Sequence, residues 1–311
     1  MNTTLQTKQP QKNKGFQVWY QLMRPHTLTA GFTPVFIGSI YAFHVDSNSF
    51  NWSIFITILL ATILIQTAAN VFNEYFDYKR GLDNESSVGI SGTIVRDGIS
   101  PKTVYRLGIS FMLVAILLGI YICMNSSWYV ALIGLICMAA AYFYTGGPYP
   151  IAYTPFGELT SGFFMGVVLL NISYFVQAGN VTIESILLSI PLAFTIAAIL
   201  LSNNIRDLDN DKVNGRRTIA ILLGHDHAIK FLASLLGGAY VITLLLIIMD
   251  IAPLWALISF LSVPLSIKAV KGFIGKNTPI EMMPAMVQTA KVNTIFGLLL
   301  CIAFVLQIVF S

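Results

Sequence analysis

The chain has 311 residues, 56% of them apolar and only 10% charged, with 18 Lys and Arg against 14 Asp and Glu; its mean hydropathy is +0.74. A water-soluble domain needs more polar cover than this. A transmembrane barrel would show short alternating segments in place of long continuous apolar runs. The composition therefore leaves a polytopic, all-α membrane protein.

Residues 1–15 are polar, carry Lys8, Lys12 and Lys14, and lack the apolar core of a cleavable signal. Residues 1–20 are expected as a disordered cytosolic tail and residues 21–311 as a single helical domain. A membrane span takes ~20 apolar residues. About nine runs qualify, near 27–44, 52–76, 103–124, 127–146, 157–177, 183–204, 228–249, 252–270 and 286–310. Cys123, Cys137 and Cys301 lie scattered inside these runs and suggest buried thiols, with neither disulfide nor metal spacing.

Nine spans place every basic residue on the side of the N-terminus. Lys8, Lys12, Lys14 and Arg24 precede span one, and Lys79, Arg80, Arg96, Lys102 and Arg106 follow span two. Arg206, Lys212, Arg216, Arg217 and Lys230 follow span six, and Lys268, Lys271, Lys276 and Lys291 follow span eight. Positive charge marks the cytosolic side, so a nine-span chain is expected with its N-terminus inside and its C-terminus outside. One span more or fewer would scramble that pattern. The far face carries only Asp46, Glu184 and Asp250.

Two polar motifs interrupt the apolar pattern, both on the predicted cytosolic face. The first, at the end of span two, is Asn73-Glu-Tyr-Phe-Asp77, with Asn70 before it and Asp83 after it. The second, at the end of span six, is Asn203-Asn-Ile-Arg-Asp207-Leu-Asp-Asn-Asp211. Positions i and i+4 share a helix face, so each motif predicts an amide and a carboxylate aimed one way, with the second stripe continuing along one helix. Facing each other, the unpaired acids would repel. A divalent cation removes that conflict, and Mg2+ favours oxygen ligands completed by phosphate. Lys79, Arg80, Arg206, Lys212, Arg216 and Arg217 crowd the same ends and suit a diphosphate. Positive-inside topology alone also accounts for bases there. Aromatic side chains nearby, Tyr144 on span four among them, offer π faces to a cation. The connection after Asp83, through Ser91-Gly-Thr93 and Arg96-Asp-Gly98, is long enough to be a lid.

With these residues in view, the sequence resembles the UbiA superfamily of intramembrane aromatic prenyltransferases. The two acidic motifs carry the resemblance, supported by Arg24-Pro-His-Thr-Leu28, the Tyr144–Glu158 stretch with its Thr-Gly-Gly-Pro turn, and Gly215-Arg-Arg-Thr218. The last two stretches point to the branch acting on 1,4-dihydroxy-2-naphthoate. The resemblance covers residues ~20–310, in line with the family's nine-helix domain. It implies a helical bundle with a cytosol-facing cavity in the inner or plasma membrane of a bacterium. It also implies Mg2+-dependent transfer of a polyprenyl group from polyprenyl diphosphate to the naphthoate. Diphosphate and CO2 leave, and demethylmenaquinone results; no nucleic acid partner is expected. By motif position, Asn73, Asp77, Asp83, Asn203, Asp207 and Asp211 would hold the metal, with Asp77, Asp207 and Asp211 central to catalysis. Asn70, Lys79, Arg80, Tyr144, Arg206, Lys212, Arg216 and Arg217 would contact substrate. One departure stands out: many superfamily members have Tyr-x3-Lys after span four, but here Tyr144-x3 leads to Pro148. Two alternatives remain, another acceptor (4-hydroxybenzoate, homogentisate or haem) and a cation-coupled transporter.

Overall fold

The structure is a computed structural model and describes residues 15–48, 50–82 and 92–310. Asp83 and Ser91 lie outside the described residues. Every regular element within them is helical. We number the helices α1 (Phe16–Met23), α2 (Thr29–Val45), α3 (Trp52–Lys79), α4 (Pro101–Asn125), α5 (Tyr129–Thr145), α6 (Gly157–Ala178), α7 (Ile183–Arg206), α8 (Leu208–Val213), α9 (Ile219–Leu223), α10 (His225–Ile248), α11 (Leu254–Lys271) and α12 (Pro279–Phe310).

Seven of these, α3, α4, α6, α7, α10, α11 and α12, are long and apolar enough to cross a membrane. The other two runs read as spans form α2 and α5, with 17 residues each. At 1.5 Å per residue they reach about 25 Å, short of a ~30 Å hydrocarbon core. Local turns bound them: a 3-10 turn at Pro25–Thr27 delays the start of α2 to Thr29, and the Gly146-Gly147-Pro148 turn ends α5. Helix α1 starts inside the segment expected to be unstructured, because Val18 and Leu22 find an apolar seat on α3 and are buried.

Local chemistry sets where the long helices start. Asn51 caps α3 by accepting from the amides of Ser53 and Ile54 at 3.0 and 3.2 Å, and Thr182 caps α7 in a reciprocal box with Ser185. Pro101 opens α4, where its missing N–H costs nothing. Helix α7 is central, with 61% of its apolar window buried, and packs against α6, α10 and α12. Helix α3 packs on α4 and α5, and α2 touches α3, α6 and α12, joining the two groups.

Small residues permit the closest approaches. A Cβ on Gly166 of α6 would sit 2.5 Å from the Ala193 Cα of α7. Gly162 and Gly166 fall in a π-helical turn of α6, where the widened backbone presses on α7. Polar pairs add interhelical bonds: Thr195 Oγ1 donates to Asn293 Oδ1 at 2.8 Å, and Ser185 Oγ to Asn171 Oδ1 at 2.7 Å. Outward on α4 and α5, Leu113, Leu117, Met124, Leu132 and Leu135 are between 57% and 72% exposed. Such a surface is tolerable in lipid and would aggregate in water.

Candidate active site

The first motif occupies the last turns of α3. The second spans the join of α7 to α8, and here the structure corrects the expected single helix. Helix α7 stops at Arg206, Asp207 sits between the two helices with φ −95° and ψ 6°, and α8 carries Asp211. Asp207 is drawn aside by its neighbour: Arg206 donates from Nε to Asp207 Oδ1 at 2.7 Å and from Nη2 to Oδ2.

The two motifs meet through Arg216. Its Nη2 donates to Asp77 Oδ1 and its Nη1 pairs with Asp211 Oδ1, each at 3.1 Å. One guanidinium therefore holds a carboxylate from each motif. The local chain aims it there. Gly215 takes the left-handed conformation (φ +78°) after α8, and the Arg216 amide then donates back to the Asp211 carbonyl at 3.0 Å. The Tyr153 ring lies 5.1 Å from the Arg216 guanidinium and 5.4 Å from that of Arg80. The Arg217 amide ties the same segment down by donating to the Tyr153 carbonyl at 2.9 Å.

Burial and like charge shape the electrostatics. Burial, with the Asp207 and Asp77 carboxylates adding to it, pushes the Asp211 carboxyl up to about 6 against the pull of Arg216. For Arg216 burial works against the charge, but Asp77 and Asp211 outweigh it and hold the pKa above the ordinary guanidinium value. Tyr144, on the last turn of α5, lies within electrostatic reach of Asp77, Asp211, Arg216 and Glu158.

The remaining predicted residues are dispersed around this centre. Asn73 and Asn203 are half-buried, one turn before Asp77 and Asp207. Asn70 donates to the Met23 carbonyl at 3.0 Å and to Thr27 Oγ1 at 3.1 Å, which ties α3 to the chain before α2. Arg80 donates to the carbonyls of Thr145 and Gly147 and so pins the turn after α5. Arg206 is buried, its Nη1 donating to Met286 Sδ at 2.7 Å and lying 3.6 Å from Met283 Sδ. Lys79, Lys212 and Arg217 are exposed.

Several contributors escaped sequence reasoning. Tyr153 has no distinguishing signal in the sequence, and only the packing brings two guanidinium groups beside its ring. Glu74, inside the first motif, is buried and accepts from the amides of Gly92 and Ile94 at 3.1 and 3.2 Å. It anchors the described end of the connection read as a lid. Glu158, at the end of the Tyr144–Glu158 stretch, is buried and accepts from Asn204 Nδ2 at 2.8 Å.

Among the described residues, no three His, Cys, Asp or Glu side chains gather closely enough to hold a metal alone. The donor set fits Mg2+ of the kind that takes one or two carboxylates and completes its shell with phosphate and water. Asp211 Oδ2 is buried without a hydrogen-bond partner, so one oxygen at the centre is still available to a cation.

The model of the UbiA prenyltransferase family matches residues 32–295. The chain belongs to this family. It is 50% identical over 299 residues to the 1,4-dihydroxy-2-naphthoate octaprenyltransferase of Bacillus subtilis (strain 168), covering 96% of this chain and 95% of that one. It is 27% identical to the Escherichia coli (strain K12) protein of the same name, covering 95% and 96%. Among solved structures, a UbiA homolog from Archaeoglobus fulgidus bound to DMAPP and Mg2+ superposes with a TM-score of 0.63 at 16% identity, over 91% of this chain and 99% of that one. The apo UbiA homolog from Aeropyrum pernix K1 gives 0.66 at 16% identity, over 89% and 98%. These superpositions establish a UbiA-like helical fold; the seven long apolar helices and the family match make the chain a multi-span membrane protein.

Proposed function

We propose that this protein transfers a polyprenyl group from polyprenyl diphosphate to 1,4-dihydroxy-2-naphthoate, releasing diphosphate and CO2 and forming demethylmenaquinol, the reduced form of demethylmenaquinone. The carrying observation is the convergence of Asp77 and Asp211 on Arg216, which joins the two acidic motifs into one centre. The choice of acceptor and of a long prenyl chain rests on the names of the relatives. A homologue of the same fold bound to DMAPP and Mg2+ supports the donor and the metal.

In this reading Asp77 and Asp211 would hold Mg2+, with Asp207, Asn73, Asn203 and Asp83 as further candidate oxygen donors. When bound, the metal neutralises diphosphate oxygens and makes diphosphate a better leaving group. Arg216 then donates to diphosphate in place of the carboxylates, as a forked guanidinium does well. Before that it keeps the two acids from repelling each other. Asn203 and Asn73 offer amide oxygens at no cost in charge. The Tyr153 ring beside Arg216, with Tyr144 within electrostatic reach of the same centre, favours positive charge developing on the allylic carbon. The naphthoate ring attacks that carbon, and loss of the ring carboxylate as CO2 restores aromaticity.

In the same reading the chain crosses the membrane nine times, α2 and α5 included, with the N-terminus cytosolic and the centre opening to the cytosol. A transporter would favour acids near the bilayer midplane, whereas these acids gather where α3 and α7 end. The test offers purified protein Mg2+, a long polyprenyl diphosphate and, separately, 1,4-dihydroxy-2-naphthoate, 4-hydroxybenzoate and homogentisate, with products read by mass. Prenylated, decarboxylated naphthoate is expected, abolished by EDTA and restored by Mg2+. Turnover of another acceptor alone would reassign the substrate, and no turnover of any would return the transporter reading.

A further inference from the structure

Away from the acidic centre, a groove of about 660 Å³ opens between α11 and α12. Lys268 and Lys291 line it together with Gln288, and none of the lining side chains is a carboxylate. Between these polar groups its walls are apolar, with Ile280 69% and Val287 39% exposed. Gln288 Nε2 is buried and has no hydrogen-bond acceptor. The groove thus presents two ammonium groups and one unused donor beside an apolar trough.

Helix length fixes its depth. Helix α12 has 32 residues, about 48 Å at 1.5 Å per residue, against a hydrocarbon core of ~30 Å. Residues 292–310 carry no charge and are long enough to cross nearly all of that core. Lys291 then falls where acyl chains give way to headgroups, with Lys268 across the groove. An ammonium at that level is a functional candidate, and it is satisfied most directly by a lipid phosphate. The geometry points to this groove as a binding site for one anionic phospholipid, its phosphate between Lys268 and Lys291 and an acyl chain along Ile280, Met283 and Val287. Abundance decides the occupant. Each lysine near an anionic surface adds about fivefold to affinity, so two lysines fill only with a ligand as plentiful as a bulk lipid. A scarce prenyl donor would leave the groove empty.

The groove also touches the centre. Met283, in its wall, lies with its Sδ 3.6 Å from Arg206 Nη1, and Arg206 holds Asp207. A seated lipid backs Met283 and through it the Arg206–Asp207 pair.

The test reconstitutes the protein in vesicles of equal phosphatidylglycerol and phosphatidylcholine, extracts it gently and counts retained lipids by native mass spectrometry. Wild type is expected to retain phosphatidylglycerol at least tenfold over phosphatidylcholine. Lys268→Gln/Lys291→Gln loses that preference, and Lys230→Gln, an exposed lysine on α10, keeps it. Lys268→Arg/Lys291→Arg also keeps it, which separates lost charge from lost folding. The site is refuted if the glutamine pair retains phosphatidylglycerol as wild type does, or if wild type shows no preference. Displacement of the bound lipid by micromolar geranyl diphosphate would equally overturn it, making the groove an antechamber for the donor.

Discussion

Arg216 closes the two motifs onto each other, and its position explains what the sequence could and could not show. The Asn-x3-Asp spacing made Asp77 and Asp207 legible, because i and i+4 share a helix face whatever the fold. The pairing of Asp77 with Arg216 spans 139 positions in the chain and was legible only as a basic residue near an acidic one. Asp207 shows the opposite failure, since its partner is the adjacent Arg206 and a regular stripe gave no hint of the helix break between them. At this scale Asp211 carries a pH prediction. Its folded, metal-free pKa of about 6 lies above the ordinary carboxylate value. The folded state therefore holds a proton that the unfolded state has released between about pH 4 and 6. The associated stability is full below pH 4 and is lost as pH rises through 6. Mg2+ competes for the ionised form. Its half-activating concentration for prenyl transfer is expected to rise as pH falls below 6, approaching tenfold per unit, and to flatten above pH 7. A half-activating concentration unchanged from pH 7.5 to 5 would show that Asp211 is not titrating at the metal.

At the scale of elements, most helices stand where the apolar runs placed them, because run length and caps such as Asn51 and Thr182 are local signals. The misjudged elements depended on neighbours. Helices α2 and α5 are shorter than the runs they came from, and α1 exists because Val18 and Leu22 find an apolar seat. The π-helical turn of α6 was invisible too, although Gly162-x3-Gly166 is a recognised small-residue spacing for close helix approach. That contact orients α6, whose first turn carries Glu158 and its bond to Asn204 of the second motif. Gly166→Ala would set a methyl 2.5 Å from the backbone of Ala193, forcing α6 from α7. We expect a loss of about 1–3 kcal/mol, typical of overpacking, seen as a lower midpoint of thermal unfolding in detergent. Gly134→Ala, where a Cβ meets nothing within 4 Å, is expected to leave the midpoint within a degree or raise it. Equal midpoints for the two variants would remove the close contact from the account.

At the scale of the molecule, the apolar composition and the paired acidic motifs pointed to an all-helical, UbiA-like membrane protein, and family membership and the superpositions agree with that coarser architecture. The sequence could not show that the motifs form a single centre, since that is a property of the packed bundle: α3 with α4 and α5, α7 with α6, α10 and α12, and α2 between them. The central claim is that Asp77 and Asp211 act as one unit despite lying on separate helices. The direct measurement is a double-mutant cycle on kcat/KM for prenyl transfer at saturating Mg2+, with Asp77→Asn, Asp211→Asn and the pair, each shown to reach the membrane folded. Groups that act together are strongly non-additive. Each single variant is expected to lose at least ~10²-fold, as when one charge-stabilising group is removed, and the double variant to lose little more than either. Fully multiplicative losses, or either single variant at wild-type rate, would contradict a shared centre.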